Sequence, residues 1–253
     1  MDHAEIVAKR VLEGVLPGTM EYQPEQSDGE YDFELRYHSG AKAAVEVTAS
    51  VDRTQAETIA AIRSKRNAPF IHATKCEKSW VIFPAKGAKI KRIREAADEY
   101  LSRLEQVGEE KFSWVRDFER ESVQDIYRDL GITSGSVISA GSSPTIRIAL
   151  PGGGGAVGPS IAVDAGVVEA WKPDNRKKLG AAMTAEHHLV VYIDAMNGLP
   201  WIALTDFEPP SAVPNLPAEV THLWLIGHGR GENEFIVWYA PADESWSSLR
   251  VRC

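Results

Sequence analysis

The stretch "YDFELRYHSGAKAAVEVTAS", residues 31–50, gathers Asp32, Glu34, Glu46 and Thr48 into two alternating segments joined by His38-Ser39-Gly40. Alternation with period two reads as a β-hairpin. A three-residue loop made of a type I turn and a left-handed residue wants glycine third, where Gly40 stands. That loop pairs Tyr37 with Ala41. Counting outwards, Arg36 faces Lys42, Glu34 faces Ala44 and Asp32 faces Glu46, while Phe33, Leu35 and Tyr37 lie against Ala43, Val45 and Val47 on the other face. A two-residue loop would set Phe33 against Glu46 and mix the faces, so the hydrophobic pattern selects the first register. An amphipathic hairpin with its polar face in water would alternate in the same way. It would not explain two directly opposed acids, which repel unless a cation neutralises them, either a divalent metal or Arg36. Paired carboxylates are hard oxygen ligands that favour Mg2+ or Mn2+, ions that activate water against a phosphodiester.

The elements that must position these residues are read from periodicity. Ile6, Val7, Val11, Leu12, Val15 and Leu16 recur at helical spacing until "PG" ends the pattern, with Asp2 and Glu5 as a capping box. A turn-rich connection runs to residue 29, before the hairpin. A helix is expected over 53–66, a buried strand over 79–85, and a long helix over 88–107 closed by Gly108. Further on, a helix near 117–130 stops at Gly131, strands fall at 133–140 and 144–150, and "PGGGGAVGPS" is a flexible loop or linker. It lacks the Lys-Ser/Thr of a phosphate loop. A helix around "DNRKKLGAAMTAE", a buried strand "HLVVYIDA", a Pro-rich loop at 209–217 and a hairpin "HLWLIGHGRGENEFIVWYA" complete the chain.

Order and residues together resemble the PD-(D/E)xK nuclease superfamily, the restriction-endonuclease-like fold. Its pattern is an N-terminal helix, a hairpin whose first strand brings an Asp and whose second brings (D/E)-x-K, then a helix, a strand and another helix. Asp32 matches the first acid, and "EVT", Glu46-Val47-Thr48, matches the second element with Thr for Lys; residue 31 is Tyr where Pro is usual. The resemblance covers about residues 1–107. It implies catalytic Asp32, Glu46 and Thr48, and Mg2+ or Mn2+ held by Asp32 and Glu46, with Glu5 as a further ligand. Glu34 and Gln55 are possible accessory residues. In the family the lysine places positive charge near the attacking water and the developing phosphorane; a Thr hydroxyl positions water but brings no charge. Lys42 is too far along the strand, about 13 Å of backbone from Glu46. Lys65 and Lys91 are the candidate substitutes. The alternative is a catalytically lapsed scaffold that binds nucleic acid or protein.

The implied fold class is α/β. A restriction-endonuclease-like mixed sheet flanked by helices fills residues 1–110, followed by a connecting helix and strands at 111–150, the Gly-rich linker at 151–160, and a small α/β or α+β domain at 161–253 of unread role. The 253 residues carry 28 Lys plus Arg against 36 Asp plus Glu. That net charge of -8 argues against sequence-blind attachment to nucleic acid, though not against a local basic patch for DNA or RNA. Such a patch is offered by "KGAKIKRIR", with Lys86, Lys89, Lys91, Arg92 and Arg94, and less clearly by "KPDNRKK", 172–178. Both are as readily solvated helix faces. There is no apolar run of membrane length and the N-terminus is charged, so a cytoplasmic protein without membrane attachment is expected. Cys76 and Cys253 are expected to be free thiols. His187 and His188, adjacent on a strand, point to opposite faces and read as a strand edge rather than a metal pair. His222 and His228 read as surface residues, and Trp201, Trp224, Trp238 and Trp246 as core anchors. No G-x-S-x-G supports a serine hydrolase.

Overall fold

The computed structural model describes residues 1–23, 30–64, 69–139, 143–149 and 157–253. Chain order begins with helix α1 (His3–Val15), strands β1 (Gly18–Tyr22), β2 (Phe33–Tyr37) and β3 (Lys42–Ser50). It continues with α2 (Arg53–Arg63), β4 (Phe70–His72), β5 (Ser79–Pro84), α3 (Ile90–Gln106), β6 (Lys111–Ser113), α4 (Trp114–Asp117), α5 (Glu121–Leu130), β7 (Ile132–Ser139) and β8 (Thr145–Ile148). Then follow α6 (Ser160–Ala170), α7 (Pro173–Ala181), β9 (Glu186–Ile193), α8 (Gly198–Asp206), β10 (His222–His228), β11 (Glu234–Pro241) and β12 (Ser247–Arg252). No helix of the described residues is long and apolar enough to cross a membrane.

The chain divides into two compact units, Met1–Val51 with Gly155–Cys253, and Asp52–Gly154. The first is a seven-stranded mixed sheet in the order β1-β2-β3-β9-β10-β11-β12. Its middle strands β3, β9 and β10 run parallel, and the flanking pairs are antiparallel. The central strands are buried on both faces, which is why "HLVVYI" and "HLWLIG" read as continuous apolar runs. Helix α1 packs Val7, Ala8, Val11 and Leu12 on one face, against Phe33, Leu35, Val45, Val190 and Trp224. The other face, with Ala44, Leu189, Val191 and Leu225, is covered by residues of α6, α7 and α8. Trp224 and Trp238 are buried anchors, as expected.

The second unit is a five-stranded sheet, β4-β8-β5-β7-β6, with its own core of Ile62, Trp80, Ile82, Ile93, Leu101, Val123 and Ile126. The division differs from the sequence expectation. The helix, strand and helix after the hairpin (α2, β5 and α3) do not extend the hairpin's sheet but belong to this inserted unit. The residues expected to form a separate C-terminal domain supply β9 to β12 of the hairpin's own sheet. The physical reason is the parallel β3–β9 ladder, which pairs Ala43 with Glu186 through to Ser50 with Ile193 and closes the sheet across the insertion. Positions 151–156 of the Gly-rich linker lie outside the described residues, and Ser160 already begins α6. The connection before the hairpin contains a strand, β1.

Local expectations hold closely. The Asp2–Glu5 capping box is formed, and Gly131 ends α5 in the left-handed conformation. The hairpin has the expected register, Phe33 to Val45, Glu34 to Ala44 and Arg36 to Lys42, with Gly40 at φ 89°. Cys76 and Cys253 are free thiols.

Helix α7 is held to the sheet chiefly through fully buried Leu179, while its neighbour Lys178 points a charge at the same face. Leu179→Ala is expected to lower unfolding free energy by about 2–5 kcal/mol through the cavity it leaves, measured by urea denaturation. Lys177→Ala, one residue before Lys178, is expected to change it by less than about 0.5 kcal/mol.

Candidate active site

Asp32 and Glu46 meet as the register requires, and the meeting is buried: Glu46 is 2% and Asp32 8% exposed. The strand ladder ends at Phe33–Val45, and the next backbone donor of β3, the N–H of Val47, is taken by Asp32 Oδ2 at 2.7 Å. The carboxylate thus completes the ladder and is fixed beside Glu46. Glu46 lies on the face covered by α6 and α7, where Lys178 Nζ donates to its Oε1 at 3.0 Å. Its other oxygen, Oε2, is buried without a hydrogen-bond partner among the described residues. A buried oxygen left in this state is costly unless a proton or a cation reaches it.

Burial first, and then the charge of Asp32, push the Glu46 carboxyl up from its ordinary 4.5 to about 8; Lys178 opposes the rise and Asp174 adds to it. A carboxyl that holds its proton to neutrality beside a second carboxylate is a frequent mark of a functional site. Two residues along β3, Thr48 Oγ1 donates to Glu169 Oε2 at 3.4 Å. Glu169, 5% exposed near the end of α6, is paired with Lys172 at 2.5 Å, and its backbone carbonyl accepts from the buried Asn175 side chain at 2.9 Å. Helix α7 therefore serves the site twice, with Asn175 tying it to α6 and Lys178 reaching the acid.

The other expected site residues fall elsewhere. Glu5 is occupied by the α1 cap, its carboxylate accepting from Asp2 N at 2.6 Å, and α1 covers the sheet face opposite to that of Glu46. It does not join the acids. Glu34 is held by Arg36 at 2.6 Å and Lys42 at 2.9 Å, which lower its pKa and neutralise it at the rim. Arg36 therefore balances Glu34 rather than the Asp32–Glu46 pair. Gln55, Lys86, Lys89, Lys91, Arg92 and Arg94 all belong to the inserted unit, not to the unit that carries the acids. There Lys86 pairs with Asp52 at 2.5 Å, Lys91 lies 3.8 Å from Glu95, and Arg94 is half-buried. Lys65 lies outside the described residues.

The residues that sequence reasoning missed are Lys178 and Glu169. Lys178 stood in a noted basic run, but nothing local ties position 178 to position 46. Glu169 carried a signal that went unread, an acid inside the apolar run "SIAVDAGVVEA". His187 and His188 do point to opposite faces, yet β9 is a central strand and not an edge. His222, expected at the surface, stacks on His188.

Asp32 and Glu46 offer only oxygen donors, and the unpartnered Glu46 Oε2 provides a ligand atom, which fits a hard divalent cation; Glu169 is reached through Thr48 and does not form a three-ligand cluster with the two acids among the described residues. Comparison of the chain with protein-family models, with characterised proteins and with solved structures finds no match.

The raised Glu46 pKa has a definite consequence for stability. The folded state binds this proton more tightly than the unfolded chain, so its stabilising contribution is complete below about 4.5 and is lost as pH rises through about 8. In metal-free buffer, unfolding free energy is expected to decline between these pH values. Glu46→Gln should remove that part of the slope, as measured by denaturant titrations at successive pH. An unchanged slope in the variant would show that Glu46 ionises normally.

Proposed function

We propose that the protein is a Mg2+- or Mn2+-dependent nuclease that hydrolyses phosphodiester bonds of nucleic acid, with Asp32 and Glu46 as the metal-binding acids and Lys178 in the role of the motif lysine. The observation that carries the reading is the Lys178 ammonium 3.0 Å from Glu46 Oε1. A positive charge stands beside the second acid although position 48 is Thr. The order of elements supports it as well. Helix α1, the meander β1-β2-β3, crossover helices α6 and α7, parallel strand β9 and helix α8 follow the order of the restriction-endonuclease-like pattern once residues 52–154 are taken as an insertion.

In this reading Asp32 and Glu46 would hold the cation, and Glu169 stands beyond Thr48. Such a cation, when bound, would supply an acidified water and neutralise phosphate charge. Lys178 adds fixed positive charge where the phosphorane develops, in a site buried enough for that charge to act strongly. Thr48 orients Glu169 through its hydroxyl.

One observation favours the second reading, a lapsed scaffold that binds nucleic acid or protein. Lys178 and a retained proton on Glu46 can neutralise the acid pair with no metal at all.

The deciding assay is cleavage of labelled single- and double-stranded DNA and RNA with Mn2+ or Mg2+. The native chain is expected to cut, Asp32→Ala and Glu46→Ala to abolish cutting, and Lys178→Ala to slow it by about 10²–10³-fold. Adding Thr48→Lys to Lys178→Ala should restore part of the rate, because it returns an ammonium to the adjacent strand position. Cutting that survives Glu46→Ala, or that ignores Lys178→Ala, would remove the assignment. Binding without cutting would leave the scaffold reading.

A further inference from the structure

On the α1 face of the same sheet lies a cavity of about 410 Å³ that the nuclease reading does not use. Its polar end is Glu186 at the start of β9, with Tyr37 of β2, His188 of β9 and His222 of β10 around it. Apart from Ser39, the rest is apolar or aromatic, from Val15 at the end of α1 and Leu16 just after it to Trp224, Tyr239 and Leu249. Four rings run nearly parallel across β9, β10 and β11. His222 stacks on His188 with centroids 4.3 Å apart, His188 lies 6.1 Å from Trp224, and Trp224 stacks on Tyr239 at 4.8 Å.

A glutamate and two histidines with ligand atoms within 4.8 Å of one another invite a metal reading. The geometry argues against it twice. An imidazole nitrogen offers its lone pair in the ring plane and binds zinc at about 2.0–2.1 Å. The planes of His188 and His222 are only 4° apart, so their lone pairs run side by side instead of converging on one ion. In addition, His188 Nδ1 accepts the Trp224 indole N–H at 3.0 Å. Indole only donates, so the proton of the neutral His188 ring sits on Nε2. Burial, above all, holds that ring neutral, with its pKa near 4. Its Nε2–H faces Glu186 Oε2 at 3.2 Å and has no lone pair to give.

Glu186 Oε2 thus receives two donors, His188 Nε2–H and the Tyr37 hydroxyl at 2.5 Å. The hydrogen bond from Tyr37 is the main cause that lowers the Glu186 pKa, so the carboxylate is ionised at neutral pH. Its side chain is 43% exposed, and its second oxygen takes no hydrogen bond from the described residues. Among the described residues that line the cavity there is no Lys or Arg. An anion would meet the Glu186 charge with no Lys or Arg among the described lining residues to offset it, and a neutral apolar ligand would strip water from a charged carboxylate without replacing it. A cation with an apolar body satisfies both ends, pairing with the carboxylate and lying against electron-rich indole and phenol rings.

We propose that this cavity is a binding site for a small organic cation, an amine or amidine on an aromatic or aliphatic body, that pairs with Glu186 and packs against Trp224 and Tyr239. The site is independent of the proposed nuclease chemistry, because its residues point to the sheet face opposite to that of Glu46.

The test is calorimetric titration and thermal shift of the full chain with benzamidine as probe, benzyl alcohol and benzoate as neutral and anionic controls, and Zn2+ alone. Benzamidine is expected to bind and the two controls to bind at least about tenfold more weakly. Glu186→Gln, which keeps the shape and removes the charge, should weaken benzamidine by about tenfold or more. Leu249→Trp, which fills the cavity and leaves the carboxylate, should do the same. Should one variant fail to melt cooperatively, the other decides. Equal binding of benzyl alcohol, absence of benzamidine binding, or binding that survives the folded variants would overturn the proposal. Zn2+ stabilisation lost in Glu186→Gln would replace it with a metal site.

Discussion

The parallel pairing of β3 with β9 is the constraint on which the rest of this unit depends. It joins Ala43–Ser50 to Glu186–Ile193 in one unbroken register. Both faces of the pairing are used. On one, it brings Glu46 and Thr48 beneath the crossover helices that carry Glu169 and Lys178. On the other, it aligns Tyr37 with Glu186 and His188. A slip of one residue in this ladder would exchange the faces of β9 and send His187 into the aromatic stack. Closing a sheet across so long a segment costs entropy that grows only with the logarithm of its length. Here the inserted residues bury their own core, so they bring their own compensation.

Electrostatics divides the two faces. The α6–α7 face buries Glu46 and Asp32 together and offsets the repulsion with an ammonium from a helix and a proton held to about pH 8. Removing one partner from such an arrangement leaves an uncompensated charge, and that makes it sensitive to any further cation. The α1 face solves its problem differently. There the carboxylate is left partly in water, its donors are neutral, and the neighbouring histidine is kept uncharged by burial. On the proposed readings, the first arrangement would respond to a metal ion and to protons, and the second to the size and charge of what enters.

What the sequence made legible was local. The Asp2–Glu5 cap, the Gly40 turn and the Gly131 stop are specified by residues within a few positions of each other, and all three are formed. The opposition of Asp32 and Glu46 was legible for the same reason, since a short loop fixes its register. Helices α6 and α8 were not. "SIAVDAGVVEA" and "GLPWIALTD" are apolar with no polar stripe, so helical spacing leaves no trace in them. The partner of β3 was illegible for a deeper reason. Any apolar run fits beside a buried parallel strand, and "SWVIFP" at 79–84 satisfied that requirement as well as "HLVVYI" at 188–193. Proximity in sequence favoured the wrong one. With it went Lys178, whose role exists only once β9 and its crossover helices are in place.

The threonine at position 48 takes on a different meaning once α7 is placed. A lysine there would share a crowded face with Glu46, Glu169 and the Lys178 already reaching in, and would bring a second ammonium into a region only partly open to water. Thr48 instead presents a small hydroxyl to Glu169, and the charge comes from a helix anchored by Leu179 and Asn175. A side chain on a helix above the sheet approaches Glu46 from the layer that covers it, whereas one on β3 must extend along its own strand. In the proposed nuclease reading, the constraint on the site is therefore one positive charge within reach of Glu46 Oε1. The strand position from which a sequence pattern expects that charge is only one way of meeting it.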